Sequence, residues 1–233
     1  MKYALISLAI ASTASADQKP APPPAGKITG TVIFEGVPPV RKDLKRDTDP
    51  YCAKNPALAD DVIVTKGKLK DVFVRLKNVP AGRITAPPAP VIDQRDCTYS
   101  PRVIGVAPGA KIAVRNSDGT FHNVNGSVSG KLLWNKPMAA KDPDLALDAG
   151  ARPGEVIDVV CNVHPWMRAY AVVVDHPYFG VTGEDGTFTI GNLPAGAYTL
   201  EAWHPKLGTR TLDIKIGTGA KAIVPARISY KTE

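Results

Sequence analysis

Three residues at every third position, Cys161, His164 and Met167, share one stretch, Cys161-Asn162-Val163-His164-Pro165-Trp166-Met167, and a further histidine precedes them in Phe121-His122-Asn123-Val124. A thiolate, two imidazoles and a thioether are soft donors. With the two His and the Cys trigonal about the ion and a weak Met on its axis, they suit copper cycling between Cu⁺ and Cu²⁺. The spacing lets a short loop between two strands aim three side chains at one point, while His122 arrives from a neighbouring strand. Zinc also takes Cys and His, but structural zinc sites rarely include Met and favour paired C-x₂-C spacing. The residues therefore point to one copper ion held by His122, Cys161, His164 and Met167.

The order and flanks of these residues resemble those of the cupredoxins, the plastocyanin-like and amicyanin-like blue copper proteins. Their ligand loop has the form C-x-x-H-P-aromatic-M, then a basic residue and a valine-rich strand. Here Cys161 to Met167 is followed by Arg168 and by Val172-Val173-Val174, and Asn116-Ser117-Asp118 leads into His122-Asn123-Val124. The resemblance covers residues 93–175 and implies a Greek-key β-sandwich that transfers single electrons. It also implies that His164 is the ligand nearest solvent, beside an apolar surface containing Pro165 and Trp166. Three cysteines leave one unpaired; with Cys161 on the metal, Cys52 and Cys97 are expected to form a disulfide.

Elements able to position these residues are predominantly strands. The chain has 22 Pro and 20 Gly, frequent turn signals and no sustained helical period, so the expected class is all-β. Met1 to Ala16 carries Lys2, an apolar run and Ala14-Ser15-Ala16, the pattern of a cleaved export signal. Residues 17–27, rich in Pro, read as a spacer. The expected location is periplasmic or secreted, with no transmembrane segment. Ile28 to Phe34, Val62 to Val64 and Asp71 to Leu76 read as strands, and residues 37–60 as a solvated basic loop. Glu155 to Val160 delivers Cys161, and Arg168 to Asp175 leaves the site. Residues 126–152 read as loop-rich, with Leu132-Leu133-Trp134 as the ordered piece.

A second resemblance lies outside that module. Asp185-Gly186-Thr187-Phe188-Thr189-Ile190 and Leu193-Pro194-Ala195-Gly196-Ala197-Tyr198-Thr199-Leu200 are similar to the D-G-x-F-x-I…L-P-x-G-x-Y-x-L pattern of carboxypeptidase regulatory-like, or transthyretin-like, sandwiches. That family's earlier strands match Gly30-Thr31-Val32 with Gly36-Val37-Pro38, and Val72 to Leu76, which precede the copper module. The resemblance implies a discontinuous sandwich, residues 28–85 plus 178–229, with the cupredoxin-like 93–175 inserted in it or adjoining it.

Charge follows the same boundaries. The formal net charge is +7, yet residues 93–175 hold nine basic and nine acidic residues while 17–92 hold thirteen and eight. A neutral copper module does not call for electrostatic steering, and the basic loop lacks the interleaved aromatics of a nucleic-acid surface. No Ser-His-Asp order, phosphate loop or paired-carboxylate motif indicates an enzyme. His176 and His204 lack accompanying ligands and read as junction or turn residues. The expected partners are a periplasmic dehydrogenase or a c-type cytochrome. The alternatives are a protein that holds copper without redox work, and a cell-envelope binding module without functional metal.

Overall fold

A computed structural model describes residues 26–79, 89–217 and 222–231. The expected export signal and residues 17–25 of the expected spacer lie outside them, and its last two residues, Gly26 and Lys27, already belong to a strand. Among the described residues, no helix is long and apolar enough to cross a membrane.

The protein is all-β. Four strands precede the site: β1 (Gly26–Glu35), β2 (Val64–Thr65), β3 (Lys68–Leu69) and β4 (Phe73–Leu76). Nine build the body around it: β5 (Val91–Arg95), β6 (Thr98–Ser100), β7 (Val103–Val106), β8 (Lys111–Asn116), β9 (His122–Val128), β10 (Lys131–Met138), β11 (Leu145–Asp148), β12 (Val156–Val160) and β13 (Arg168–Val173). Five follow: β14 (Phe179–Val181), β15 (Thr187–Leu193), β16 (Gly196–His204), β17 (Gly208–Ile216) and β18 (Ala222–Lys231).

The middle strands form two sheets, ordered β10-β9-β12-β13-β7 and β11-β8-β5-β6. Side chains alternate across a strand, so one face of each sheet turns to a shared interior. Ile112 and Val114 of β8, Val124 of β9, and Ile157 and Val159 of β12 are fully buried in that core. Because β9 has period two, His122 points to the same side as Val124 and enters the interior with it. At Gly126 a Cβ would lie 2.4 Å from the Trp134 ring, so the position must be glycine for Trp134 to lie flat across β9.

Residues 126–152 are more ordered than their sequence suggests, contributing the end of β9 and all of β10 and β11. Both β10 and β11 are edge strands, and an edge strand need not bury a continuous alternating face. In β10 only Trp134 and Met138 are buried, and Pro137 is tolerated at the edge. This is why no period-two signal marks the segment.

The outer strands form sheets ordered β15-β1-β3-β2, with β18 also on β1, and β14-β4-β16-β17. β1 runs antiparallel to β15 and parallel to β18, from Gly26↔Ala222 to Glu35↔Lys231. Ile28, Val32 and Phe34 share one core with Leu69, Val74, Ile190, Leu200 and Tyr230, residues from both sides of the middle sandwich in sequence. A third, small cluster of Phe73, Val103, Tyr170, Val172 and Val174 joins the two bodies.

His176 and His204 are buried in local roles. The His176 ring bonds the Leu76 carbonyl at 3.0 Å, and His204 Nδ1 accepts from the Lys206 N–H at 3.2 Å. Burial, reinforced by nearby Arg102, holds His204 down to about 4. Below its ordinary 6.5 the unfolded chain takes a proton that the folded ring refuses, so stability is full above pH 6.5 and falls toward pH 4 by about 3 kcal/mol. Asp71, raised to about 6 by burial, acts with the opposite sign over much of the same window. The stability advantage of wild type over His204→Gln is therefore expected to shrink by about 3 kcal/mol from pH 7 to pH 4. Denaturant unfolding of both proteins at each pH measures it, and a constant difference contradicts a neutral buried ring.

Candidate metal centre

Three strands converge at one end of the middle sandwich. β9 begins at His122, β12 ends at Val160 so that Cys161 is the next residue, and β13 starts just after Met167. Pairing of β12 with β13, Val160 opposite Arg168, forces the intervening residues into a tight loop. That loop is closed by its own backbone, with Cys161 N–H donating to Met167 O (3.2 Å) and Met167 N–H to His164 O (2.9 Å).

All four expected ligands are buried: His122 0%, Cys161 2%, His164 1% and Met167 1% exposed. His122 Nδ1 and His164 Nδ1 lie 2.9 Å apart, and Cys161 Sγ is 3.9 Å from His164 Nδ1. One donor atom from each of His122, Cys161 and His164 fits within a mutual 4.8 Å. Met167 belongs to the same buried cluster as Cys161.

Each imidazole is fixed from behind by a carboxylate. His122 Nε2 meets Asp118 Oδ2 at 2.8 Å, and His164 Nε2 meets Asp49 Oδ2 at 3.0 Å. An ionised carboxylate only accepts, so both Nε2 atoms carry protons and both Nδ1 atoms turn inward. Two lone pairs facing each other at 2.9 Å repel unless a cation lies between or beside them. Burial works against a charge on His122, but Asp118 and Cys161 outweigh burial and raise its pKa, so the surroundings favour a positive charge at this point. The donor set thus fits a metal ion, which would supply that positive charge.

The thiol is prepared for the same role. Burial pushes Cys161 up, but hydrogen bonds from His122 and from backbone N–H groups, including Asn123 and His164 at 3.4 Å, overcome it and leave the thiol below its ordinary value. Cys161 is the free cysteine, and Cys52 is bonded to Cys97 as expected. Two further donor groupings, Asp49-Cys52-His164 and Cys97-Asp118-His122, each include a sulfur committed to that disulfide.

Two expectations fail here. His164 does not reach the surface, because Asp49 and Cys52, whose Sγ is 3.7 Å from Nε2, lie over its outer edge. Nor is residues 37–60 simply a solvated basic loop. Arg46 is 4% exposed and donates to the carbonyls of Asn55, Asp96 and Cys97, with its guanidinium 5.6 Å above the Trp166 ring. A buried arginine is tolerated when carbonyls meet its donors, which local composition does not reveal.

Asp49 and Asp118 were both missed. Asp118 lies four residues before His122, within a stretch already singled out, and also accepts the Asp96 and Cys97 N–H groups (2.7 and 2.9 Å). Asp96 and Cys97 form the two-residue β5–β6 turn with φ of 54° and 53°, a left-handed conformation that such turns need and that Cys rarely adopts. No local signal marks Asp49, 115 positions from its partner.

No family model matches the chain, and no curated protein matches it. Among solved structures, a purple cupredoxin from Nitrosopumilus maritimus is similar at 25% identity over 36% of this chain and 98% of its own, with a TM-score of 0.30. A Cu(I) variant of amicyanin matches at 20% identity over 43% of this chain and 97% of its own (TM-score 0.32). A copper-containing nitrite reductase from Thermus scotoductus matches at 14% over 42% of this chain and 25% of its own (TM-score 0.31).

If Asp118 orients His122 toward a metal, Asp118→Asn is expected to weaken Cu(I) binding roughly 10- to 100-fold, the usual cost of losing such a partner. Competition against a Cu(I) chelator measures it. Unchanged affinity would mean that packing alone orients the ring.

Proposed function

We propose that the protein is an exported one-electron carrier built for a single type 1 copper ion, which His122, Cys161, His164 and, more weakly, Met167 would hold. One observation carries the reading: two imidazoles, each anchored at Nε2 by a carboxylate, turn Nδ1 toward each other beside a buried free thiol. Copper bound there would supply the one-electron couple. The chain supplies the rest. Cys161 offers a thiolate already stabilised by two backbone N–H groups, the loop closure keeps Cys161 and Met167 in register, and burial excludes water. A fixed, dry donor set keeps the geometry alike in both oxidation states.

An oxidising compartment is supported by the Cys52–Cys97 disulfide. In our reading the partners are a periplasmic dehydrogenase or a c-type cytochrome, and the protein performs no turnover of its own. Phe121 and Val163, 44% and 48% exposed, flank the ligand histidines and offer an uncharged contact, so exchange should vary little with ionic strength. The outer strands are read as a discontinuous transthyretin-like sandwich, supported by the single core that spans both ends of the chain. A second reading, a protein that holds copper without passing electrons, is favoured by one feature, the burial of His164.

Copper-loaded oxidised protein is expected to be intensely blue or purple and to bleach on reduction. Cys161→Ser should abolish the colour, whereas Met167→Gln should keep copper with a changed potential, because the axial ligand tunes the ion. A copper-replete, colourless wild type contradicts the site. Slow self-exchange in a coloured protein would favour the holding role.

A further inference from the structure

Asp49 reaches His164 from outside the sandwich that carries the ligands. Its segment, residues 44–58, has little structure of its own: one 3₁₀ turn, Cys52–Lys54, and an isolated bridge between Asp43 and Leu58 at its base. Yet its carboxylate is fully engaged. Oδ1 accepts the N–H groups of Tyr51 (2.7 Å) and Cys52 (3.2 Å), while Oδ2 accepts Thr120 Oγ1 (2.9 Å) and His164 Nε2 (3.0 Å). One oxygen is thus tied to the segment and the other to the sandwich.

Three more contacts seat the segment. Cys52 is buried in the sandwich core and bonded to Cys97. Arg46 binds the Asp96 and Cys97 carbonyls. Tyr51 lies against Gly119, where a Cβ would come within 2.9 Å of the ring. The disulfide, the arginine and the glycine all hold Asp49 against one ring nitrogen.

We infer that Asp49 is a positioning residue for His164, and that residues 44–58 are a clamped shield closing the outer edge of that ring. The shield fixes the proton on Nε2, keeps the Nδ1 lone pair aimed inward, and removes the ring from direct contact with a partner. A carboxylate behind an imidazole makes it a stronger donor to an oxidised metal, so Asp49 favours Cu(II) and lowers the potential. This last consequence rests on the copper reading; the placement of the proton does not.

Two measurements separate them. In metal-free protein, ¹⁵N spectra are expected to show His164 protonated at Nε2 with slow exchange of that proton. Asp49→Ala should lose the slow exchange, Asp49→Asn should retain part of it, and Gly119→Ala, which displaces Tyr51 without touching the carboxylate, should speed exchange. In copper-loaded protein, Asp49→Ala is expected to raise the potential by about 59 mV for each tenfold loss of Cu(II) preference. The Cys52→Ala, Cys97→Ala double variant should shift it in the same direction and speed reduction by hexacyanoferrate(II). Unchanged His164 exchange in a folded Asp49→Ala or Gly119→Ala protein overturns the inference. Slow Nε2 exchange in a chain that binds no copper upholds Asp49 while overturning the copper reading.

Discussion

The site depends on a conflict between two nitrogens. His122 and His164 point Nδ1 at each other across 2.9 Å in the buried interior, and neither can turn away because a carboxylate holds its far nitrogen. Buried polar groups that cannot find partners are costly, so this geometry survives only where something positive sits at the convergence. A proton shared between the rings would relieve the conflict, and so would a metal ion, which would add Cys161 and Met167 to its shell. The two occupants compete for the same electron pairs, and the surrounding framework serves both.

That framework extends well beyond the ligand loop. Asp118 joins His122 to the turn at Asp96-Cys97; the disulfide joins that turn to Cys52; and Asp49, three residues earlier, returns to His164. The result is a closed ring of contacts around the two imidazoles, made by hydrogen bonds and one covalent link. Trp166 is drawn into it by its indole N–H, which donates to Cys97 O at 2.9 Å, and by Arg46 above its face. A residue read as exposed apolar surface is instead half-buried under the shield.

Much of this was legible and part of it was not, for reasons of range. Cys161, His164 and Met167 recur at every third position, and His122 shares a strand face with Val124, so local periodicity suffices to suggest that they meet. The disulfide followed from parity once Cys161 had a role. Asp49 could not be read, because its significance lies in a contact with a residue 115 positions away, and its neighbours Lys45, Arg46 and Asp47 have the composition of solvent-facing loop. β10 and β11 escaped because edge strands bury too little to impose alternation. The strands of the outer sheets carried clear patterns, but the pairing of β1 with β18 in parallel is a property of the whole chain.

That parallel pair sets an order of assembly. β1 precedes its long partner β18 by nearly 190 residues in the chain, so the outer core cannot close until residues 222–231 have left the ribosome. The middle sandwich has no such wait, since β5 to β13 are contiguous, and Cys52 and Cys97 are both present long before the C-terminus. Contacts distant in sequence form late because a long loop must close before they reward it. A chain emerging from its N-terminus therefore has every group of the His164 surround in hand while its outermost sheet is still an open edge.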